Sequence, residues 1–132
     1  DLAQNFVKQN RINNIKFHGN TDKIEEILCS TDIFLLPSKK ESFGLSALEA
    51  MASKCALITS NIGGLPELNI ENETGFLVDV NNEDKYVEKI NDLVYDKNKL
   101  EKFKYESFKR AQLFDIDIIV PIYEQLYKKL LK

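Results

Sequence analysis

The segment ESFGLSALEA, residues 41–50, places two carboxylates on either side of a predicted helix start. Glu41 precedes Gly44, and Glu49 follows Glu41 by eight positions. A helix begins with unpaired N–H groups and a partial positive charge, which suit an anion such as a phosphate. Gly44 has no side chain, so a ligand can approach the backbone there. We therefore expect a phosphate to meet the N–H groups of Phe43, Gly44, Leu45 and Ser46.

The spacing of the two glutamates suggests what flanks this phosphate. Eight helical residues span about 12 Å, at roughly 1.5 Å per residue, which is similar to the length of a pyrophosphate between two sugars. A carboxylate beside a phosphate is repelled, so Glu41 is expected to reach a sugar hydroxyl, and Glu49 the ribose diol. The pattern predicts a nucleotide diphosphate sugar as ligand.

Two other interpretations of the glutamates remain open from the residues alone. A glutamate near a helix start is common because it complements the helix dipole, and glutamates inside helices are commoner still. The acid pair of a glycosidase is less favoured, because Glu41 and Glu49 lie along one helix line rather than across a cleft.

Composition bounds the class of protein. The 132 residues are enough for one domain, and 43% hydrophobic and 30% charged residues are typical of a globular chain. No apolar run reaches the length of about 18 residues that a membrane span needs, and the first residues lack the features of a signal peptide, so we expect a cytoplasmic protein. The net charge of −3 argues against general nucleic-acid binding.

Metal and redox chemistry find little support. His18 has no second ligand at metal spacing and is expected at the end of a strand. Cys29 and Cys55 lie among apolar or small residues, so both are expected to be buried free thiols. The sequence therefore predicts no metal and no cofactor.

Apolar runs and helical periodicity alternate along the chain. Strands are predicted at 15–19, 32–38, 55–61 and 75–78. Helices are predicted at 1–11, 21–29, 43–53, 83–95, 98–112 and 117–131, and a short helix is predicted with Pro66 near its start. This order predicts a doubly wound parallel α/β sheet, Rossmann-like, with helices on both faces. Ligands of that class bind beyond the carboxyl ends of the strands, which here are the loops 19–22, 37–44 and 60–66.

Several local details follow from the same patterns. Asp22 and Glu25 have the spacing of a capping box, the run 32–38 is typical of a strand buried on both faces, and Pro121 is expected in the first turn of the last helix. The residues predicted to face inward are Leu45, Leu48 and Met51 in helix 43–53, Val87, Ile90 and Val94 in helix 83–95, and Leu100, Phe103 and Ala111 in helix 98–112.

The stretch DIFLLPSKKESFGLSALEAMASKCALITSNIGGLPELNIENETGFLVD resembles the C-terminal domain of the retaining GT-B glycosyltransferases of family 4. A strand ending in P-S, then E-x-F-G-L, E-A-M-A, G-G-x-P-E and T-G-x-L-V follow in order and at the right spacing, and the resemblance covers about residues 15–132. It implies the C-terminal half of a GT-B enzyme that takes a nucleotide sugar, such as UDP-N-acetylglucosamine, as substrate.

The resemblance also implies roles for individual residues. Glu41 takes the catalytic position and binds donor-sugar hydroxyls, and Glu49 holds the ribose hydroxyls. Backbone N–H groups of Phe43, Gly44 and Leu45 meet the sugar or the phosphates, and Ser46 adds a donor. The loop with Asn20 and Thr21 reads the base edge, whereas Gly63 and Gly64 serve a tight turn. In similar enzymes transfer proceeds by front-face attack, with the leaving phosphate helping to deprotonate the acceptor.

The same resemblance places parts of the enzyme outside this chain. Residues 1–132 match a partial C-terminal nucleotide-sugar-binding domain, with 117–131 as its terminal helix, so the first strands and an N-terminal acceptor domain are expected elsewhere. The segments FHGNTDKIEEILCSTDIFLLPS and FDIDIIVPIYEQLYKKLL are similar to a subfamily that transfers N-acetylglucosamine to L-malate in bacillithiol biosynthesis. A family 4 enzyme of cell-surface polysaccharide synthesis, a non-catalytic nucleotide-sugar-binding module and an epimerase remain alternatives.

Overall fold

A three-stranded parallel sheet forms the centre of the structure, a computed structural model that describes residues 1–131. The strands are β1 (Ile33–Leu36), β2 (Ala56–Ser60) and β3 (Gly75–Val78), in the order β1-β2-β3. Ile33 pairs with Ala56, and Leu57 pairs with Gly75. The α/β class and the parallel sheet are confirmed, and β3 has the predicted bounds.

Seven α-helices surround this sheet within the described residues. They are α1 (Leu2–Gln9), α2 (Ile24–Cys29), α3 (Leu45–Ala52), α4 (Leu65–Leu68), α5 (Glu83–Tyr95), α6 (Lys97–Ala111) and α7 (Ile116–Leu130). A 3₁₀ turn, Gln112–Phe114, joins α6 to α7. None of the helices described combines the length and the apolarity that crossing a bilayer requires.

Two hydrophobic cores lie on opposite faces of β2, whose residues are all buried. Successive side chains of a strand point to opposite faces, so Leu57 enters one core while Ile58 enters the other. Helix α6 contributes to both, with Ala111 in the first core and Phe103 in the second. The helices therefore cover both faces of the sheet, as a doubly wound fold requires.

A buried polar network ties the end of α4 to the sheet. The Asn69 Nδ2 group donates to Thr59 Oγ1 and to the Phe76 carbonyl, both at 2.9 Å. Thr74 Oγ1 donates to Asn69 Oδ1 at 3.0 Å, and Ser107 Oγ donates to the Thr74 carbonyl at 2.9 Å. Because these buried groups are hydrogen-bonded, the network fixes α4 against β2, β3 and α6.

The strand predicted at 15–19 is wrong, because these residues form no strand in the structure. Ile15 and Phe17 are exposed, and no described strand pairs with this segment. Its β-branched and aromatic residues favour an extended chain, but a strand also needs a hydrogen-bonded neighbour. The position expected for His18 at the end of a strand is lost with it.

Predictions about the surroundings of α2 also need correction. Lys23 is the N-cap residue and makes no side-chain cap bond, so the capping box of Asp22 and Glu25 does not form. Instead Thr21 Oγ1 accepts from the Lys23 N–H at 3.1 Å, a local turn that competes with the box. Cys29 is exposed whereas Cys55 is buried, so the prediction of burial is right only for Cys55.

Strand β1 is not buried on both faces, since Leu35 is 43% exposed. It lies at the edge of the three-stranded sheet, and only β2 flanks it. Apolar runs predict burial only where helices or strands cover both sides.

In α3 and α5 only some of the residues predicted to face inward do so, namely Leu48, Met51 and Ile90. In α5 the buried residues are Tyr86 and Leu93, whereas Val87 and Val94 are exposed. In α3 Met51 is buried as expected, but Leu45 is exposed by 67%. In α6 Phe103 and Ala111 are buried, as predicted, with Leu100 packed beside them.

Helix α7 has no buried residue. Most of its large apolar side chains are exposed, among them Ile118, Ile122 and Leu126. Pro121 is the sixth residue of this helix and lies inside it, so its predicted place in the first turn is wrong.

Candidate functional site

The loop that carries Glu41 follows the carboxyl end of β1 and leads into α3, as predicted for residues 37–44. Its first part is fastened to the end of the neighbouring strand, because the Ser60 hydroxyl donates to the Ser38 carbonyl at 2.7 Å. The loop therefore lies at the carboxyl edge of the sheet, where ligands of this fold class bind.

Gly44 is the N-cap of α3 and adopts a left-handed conformation with φ +96°. A Cβ atom there would be strained by this conformation and would lie 2.6 Å from Leu65 Cδ2, so the Leu65 side chain would have to shift. The Gly44 carbonyl accepts from the N–H groups of Ala47 and Leu48 at 2.9 and 3.1 Å. This glycine brings the chain into α3 directly above α4.

Four backbone N–H groups at this helix start donate to no acceptor within residues 1–131. They belong to Phe43, Gly44, Leu45 and Ser46. Such groups carry the partial positive charge of a helix N-terminus and can bind phosphate oxygens. The residues are the ones expected from the sequence to meet a phosphate.

Gly63 and Gly64 hold the Glu41 loop from behind. The Gly64 N–H donates to the Ser42 carbonyl at 3.0 Å. A Cβ atom on Gly63 would lie 1.7 Å from the Glu41 carbonyl oxygen, and one on Gly64 would lie 2.6 Å from that of Ser42. Only residues without side chains permit this approach, so the two glycines support the site rather than only turn the chain.

The predicted side chains do not converge in one cavity. Half-buried Glu41 accepts from the N–H of Ser42 at 3.1 Å through Oε1. Glu49 is exposed and lines a groove of about 310 Å³ between α2 and α3, together with Glu25 and Leu28. Glu41 does not line this groove.

The loop predicted to read a base lies on another side of α2. Thr21 lines a second groove of about 310 Å³ with His18, Lys23 and Ile27. Asn20 is exposed and lines neither this groove nor the one with Glu49. The structure thus brings Glu41, Phe43 and Gly44 together with the turn at Gly63, but leaves Glu49 and Thr21 in separate grooves.

A cavity of about 490 Å³ lies at the opposite, amino edge of the sheet. There Lys104 Nζ donates to Asp32 at 2.7 Å and to Glu101 at 3.2 Å, and the hydrogen bond that it donates to Asp32 is the main cause that raises the pKa of Lys104. Three of the charged groups that line it, Asp32, Glu101 and Lys104, are thus already paired with one another. Among the described residues, no three His, Cys, Asp or Glu side chains form a metal-binding group.

Sequence reasoning missed a contact that reaches the site from the far end of the chain. The rings of Phe43 and Phe114 meet edge to face, with centroids 5.9 Å apart. The guanidinium of Arg110 lies 5.9 Å from the centre of the Phe114 ring. No spacing rule links residues so distant in sequence. The available signal was Arg110, a basic residue near the end of the helix before α7.

A parallel sheet with helices on both faces defines a doubly wound α/β domain. Comparison with known families narrows this class. The sequence model described as "Glycosyl transferases group 1" matches residues 2–110, and the chain belongs to this family.

Similar proteins span more sequence than this chain. N-acetyl-alpha-D-glucosaminyl L-malate synthase of Bacillus anthracis is 33% identical over 138 residues, which cover 99% of this chain and 34% of that protein. Capsular polysaccharide biosynthesis glycosyltransferase CapM of Staphylococcus aureus is 31% identical over 102 residues, 76% of this chain and 27% of that protein. The chain therefore spans about a third or less of these two relatives.

A solved structure confirms the fold. Anabaena Alr3699/HepE in complex with UDP superposes with a TM-score of 0.86 and 26% identity, over 96% of this chain and 36% of that one. The agreement identifies the architecture as that of the GT-B glycosyltransferases.

Proposed function

We propose that this chain is the donor-binding part of a retaining glycosyltransferase that uses a UDP-sugar. The observation that carries the proposal is the set of open N–H groups at the start of α3, at the carboxyl edge of the sheet. A diphosphate is the part of a nucleotide sugar that suits such donors. The similar Anabaena protein was solved with UDP, which supports the same ligand class here.

The donor and acceptor that we favour are UDP-N-acetylglucosamine and L-malate. This proposal rests on the Bacillus anthracis relative, whose similarity extends over 99% of the chain. The acceptor would bind to a separate N-terminal domain, with residues 1–132 as a partial C-terminal domain that supplies the donor site. The reaction would be a step in bacillithiol biosynthesis.

Each predicted residue has a definite task in this proposal. The N–H groups of Phe43, Gly44 and Leu45 stabilise the charge that develops on the leaving diphosphate, with Ser46 as a further donor. Glu41 orients the sugar, and Glu49 accepts from the ribose hydroxyls. Attack comes from the face that the diphosphate leaves, and its oxygen takes the acceptor proton. Catalysis is then positioning and charge stabilisation, without a protein nucleophile or metal.

Binding of a donor requires some movement of side chains. The Glu41 carboxylate now accepts from the Ser42 N–H, an exposed local bond that a sugar hydroxyl can replace. Asn20 and Thr21 lie across α2 from the groove of Glu49, so their role with the base depends on how a nucleotide bridges the two sides.

The first prediction concerns Glu41→Gln in the full-length protein. The amide keeps the volume but loses the charged acceptor, so kcat/KM with UDP-N-acetylglucosamine should fall about tenfold to a hundredfold. Glu73→Gln, an exposed carboxylate away from the loop, is the matched control and should transfer sugar at the wild-type rate. Unchanged turnover in Glu41→Gln would reject the assignment of Glu41.

A second candidate function is transfer to a cell-surface polysaccharide precursor, which the capsular relative favours. Product mass separates the two: a malate glycoside supports the first, and an extended lipid-linked or oligosaccharide acceptor supports the second. Donor binding without any transfer would indicate a non-catalytic module.

A further inference from the structure

We propose that Arg110 is a positioning residue for the donor loop that contains Glu41. The inference rests on the proposed function, because it concerns the same loop. Arg110 lies at the end of α6 and is half-buried. Its Nε group donates to the Leu68 carbonyl at 2.7 Å, and its Nη2 group donates to the Glu67 carbonyl.

These carbonyls belong to the last residues of α4, which helix geometry leaves without intrahelical donors. A guanidinium has a planar fork of donors that can reach both carbonyls at once, and a cation suits the negative end of a helix. Arg110 therefore fixes α4 to α6. Asn69, directly after α4, is held by the buried network, so the C-terminal end of α4 has two anchors.

The opposite end of α4 meets the donor loop. Leu65 underlies Gly44, and Gly64 donates to the carbonyl of Ser42. Gly63 approaches the Glu41 carbonyl so closely that no side chain fits between them. A displacement of α4 would thus move the backbone that carries both Glu41 and the open N–H groups.

A second route joins α6 to the same loop. The Phe114 ring packs edge to face on Phe43, next to Gly44, and the Arg110 guanidinium lies 5.9 Å from the centre of the Phe114 ring. Aromatic pairs prefer this geometry. Arg110 thus supports the donor loop indirectly and by two routes, through α4 and through Phe114.

The test compares Arg110→Ala and Arg110→Lys in the full-length protein, with Lys109→Ala as the matched control. Lys109 neighbours Arg110 on α6, and its side chain is 61% exposed. Arg110→Ala should raise the KM for the UDP-sugar about tenfold while the acceptor KM stays unchanged, because only the donor loop loses its support. A lysine ammonium cannot reproduce the fork, so Arg110→Lys should restore only part of the loss, to about threefold.

A second readout does not depend on the reaction. Amide hydrogen exchange in the segment with the N–H groups of Ala47 and Leu48, which donate to the Gly44 carbonyl, should quicken about tenfold without ligand in Arg110→Ala and in Phe114→Leu, but not in Lys109→Ala. If Arg110→Ala does not fold, the exchange rates and donor KM of Arg110→Lys and Phe114→Leu test the inference. Wild-type exchange in this segment and a wild-type donor KM in these variants would overturn the inference. Lack of UDP-sugar binding by the wild type would instead refute the proposed function.

Discussion

Gly63 and Gly19 share a left-handed backbone, with φ of +53° and +62°, yet differ in what surrounds them. A Cβ atom on Gly19 would meet nothing within 4 Å, whereas on Gly63 it would strike the Glu41 carbonyl at 1.7 Å. At the residue scale, Gly19 is thus required by conformation alone, whereas Gly63 is required by conformation and by its contact with the donor loop.

This difference gives a matched pair of substitutions. Gly19→Ala should cost only the strain of its backbone, about 1 kcal/mol in the free energy of unfolding. Gly63→Ala should cost at least about 3 kcal/mol and weaken UDP-sugar binding more than tenfold, because the loop must move. Urea unfolding and a donor titration measure both effects. Equal losses in the two variants would contradict the close approach of Gly63 to the loop.

The residues with open N–H groups could be predicted from the sequence, because a glycine before a helix has a strong local signature. The sequence could not show that Gly63, Phe114 and Arg110 support them. These contacts join the Glu41 loop to residues from 20 to more than 60 positions away, and local patterns carry no such information. The separate grooves of Glu49 and Thr21 likewise depend on the placement of α2.

At the scale of elements, α5 shows what periodicity predicts and what it does not. Its bounds, Glu83–Tyr95, agree with the prediction, since Asn82 caps it by accepting from the Lys85 N–H at 3.1 Å. Its apolar residues are nevertheless spread over two neighbouring stripes. The stripe with Tyr86 and Leu93 is buried because it packs against β3 and α6. The periodicity of the sequence does not distinguish the two stripes.

The orientation of α5 can be tested with neighbouring residues. Leu93 is fully buried, so Leu93→Ala should lower the free energy of unfolding by about 3 kcal/mol. Val94 is 51% exposed, and Val94→Ala should change it by less than about 0.5 kcal/mol. Chemical denaturation measures both variants. A larger loss for Val94→Ala would mean that the predicted stripe, rather than the observed one, faces the core.

At the scale of the whole molecule, several buried or paired groups make stability fall at alkaline pH. Burial raises the pKa of the Cys55 thiol to about 11. The pKa of Tyr86 is raised by burial and by Asp79, and that of Lys104 by its hydrogen bond to Asp32. In each case the folded chain holds its proton more tightly than the unfolded chain, so stability present below the unfolded pKa is lost as pH rises.

Cys55→Ala isolates one of these contributions. Between about pH 8 and pH 11 the wild type should lose stability, and the variant should lose about 2 kcal/mol less, since a shift of one pKa unit corresponds to about 1.4 kcal/mol. Cys29→Ala, which removes an exposed thiol, is the control and should follow the wild type. Urea midpoints over this pH range provide the measurement. Parallel curves for Cys55→Ala and the wild type would contradict the role of Cys55.

The proline inside α7 has a mechanical consequence. Pro121 has no N–H to give to the carbonyl of Asp117, four residues earlier, so one rung of the helical ladder is missing. No residue of α7 is buried, so core packing does not hold this helix in place. Bending of the last helix at this missing hydrogen bond would therefore disturb neither core.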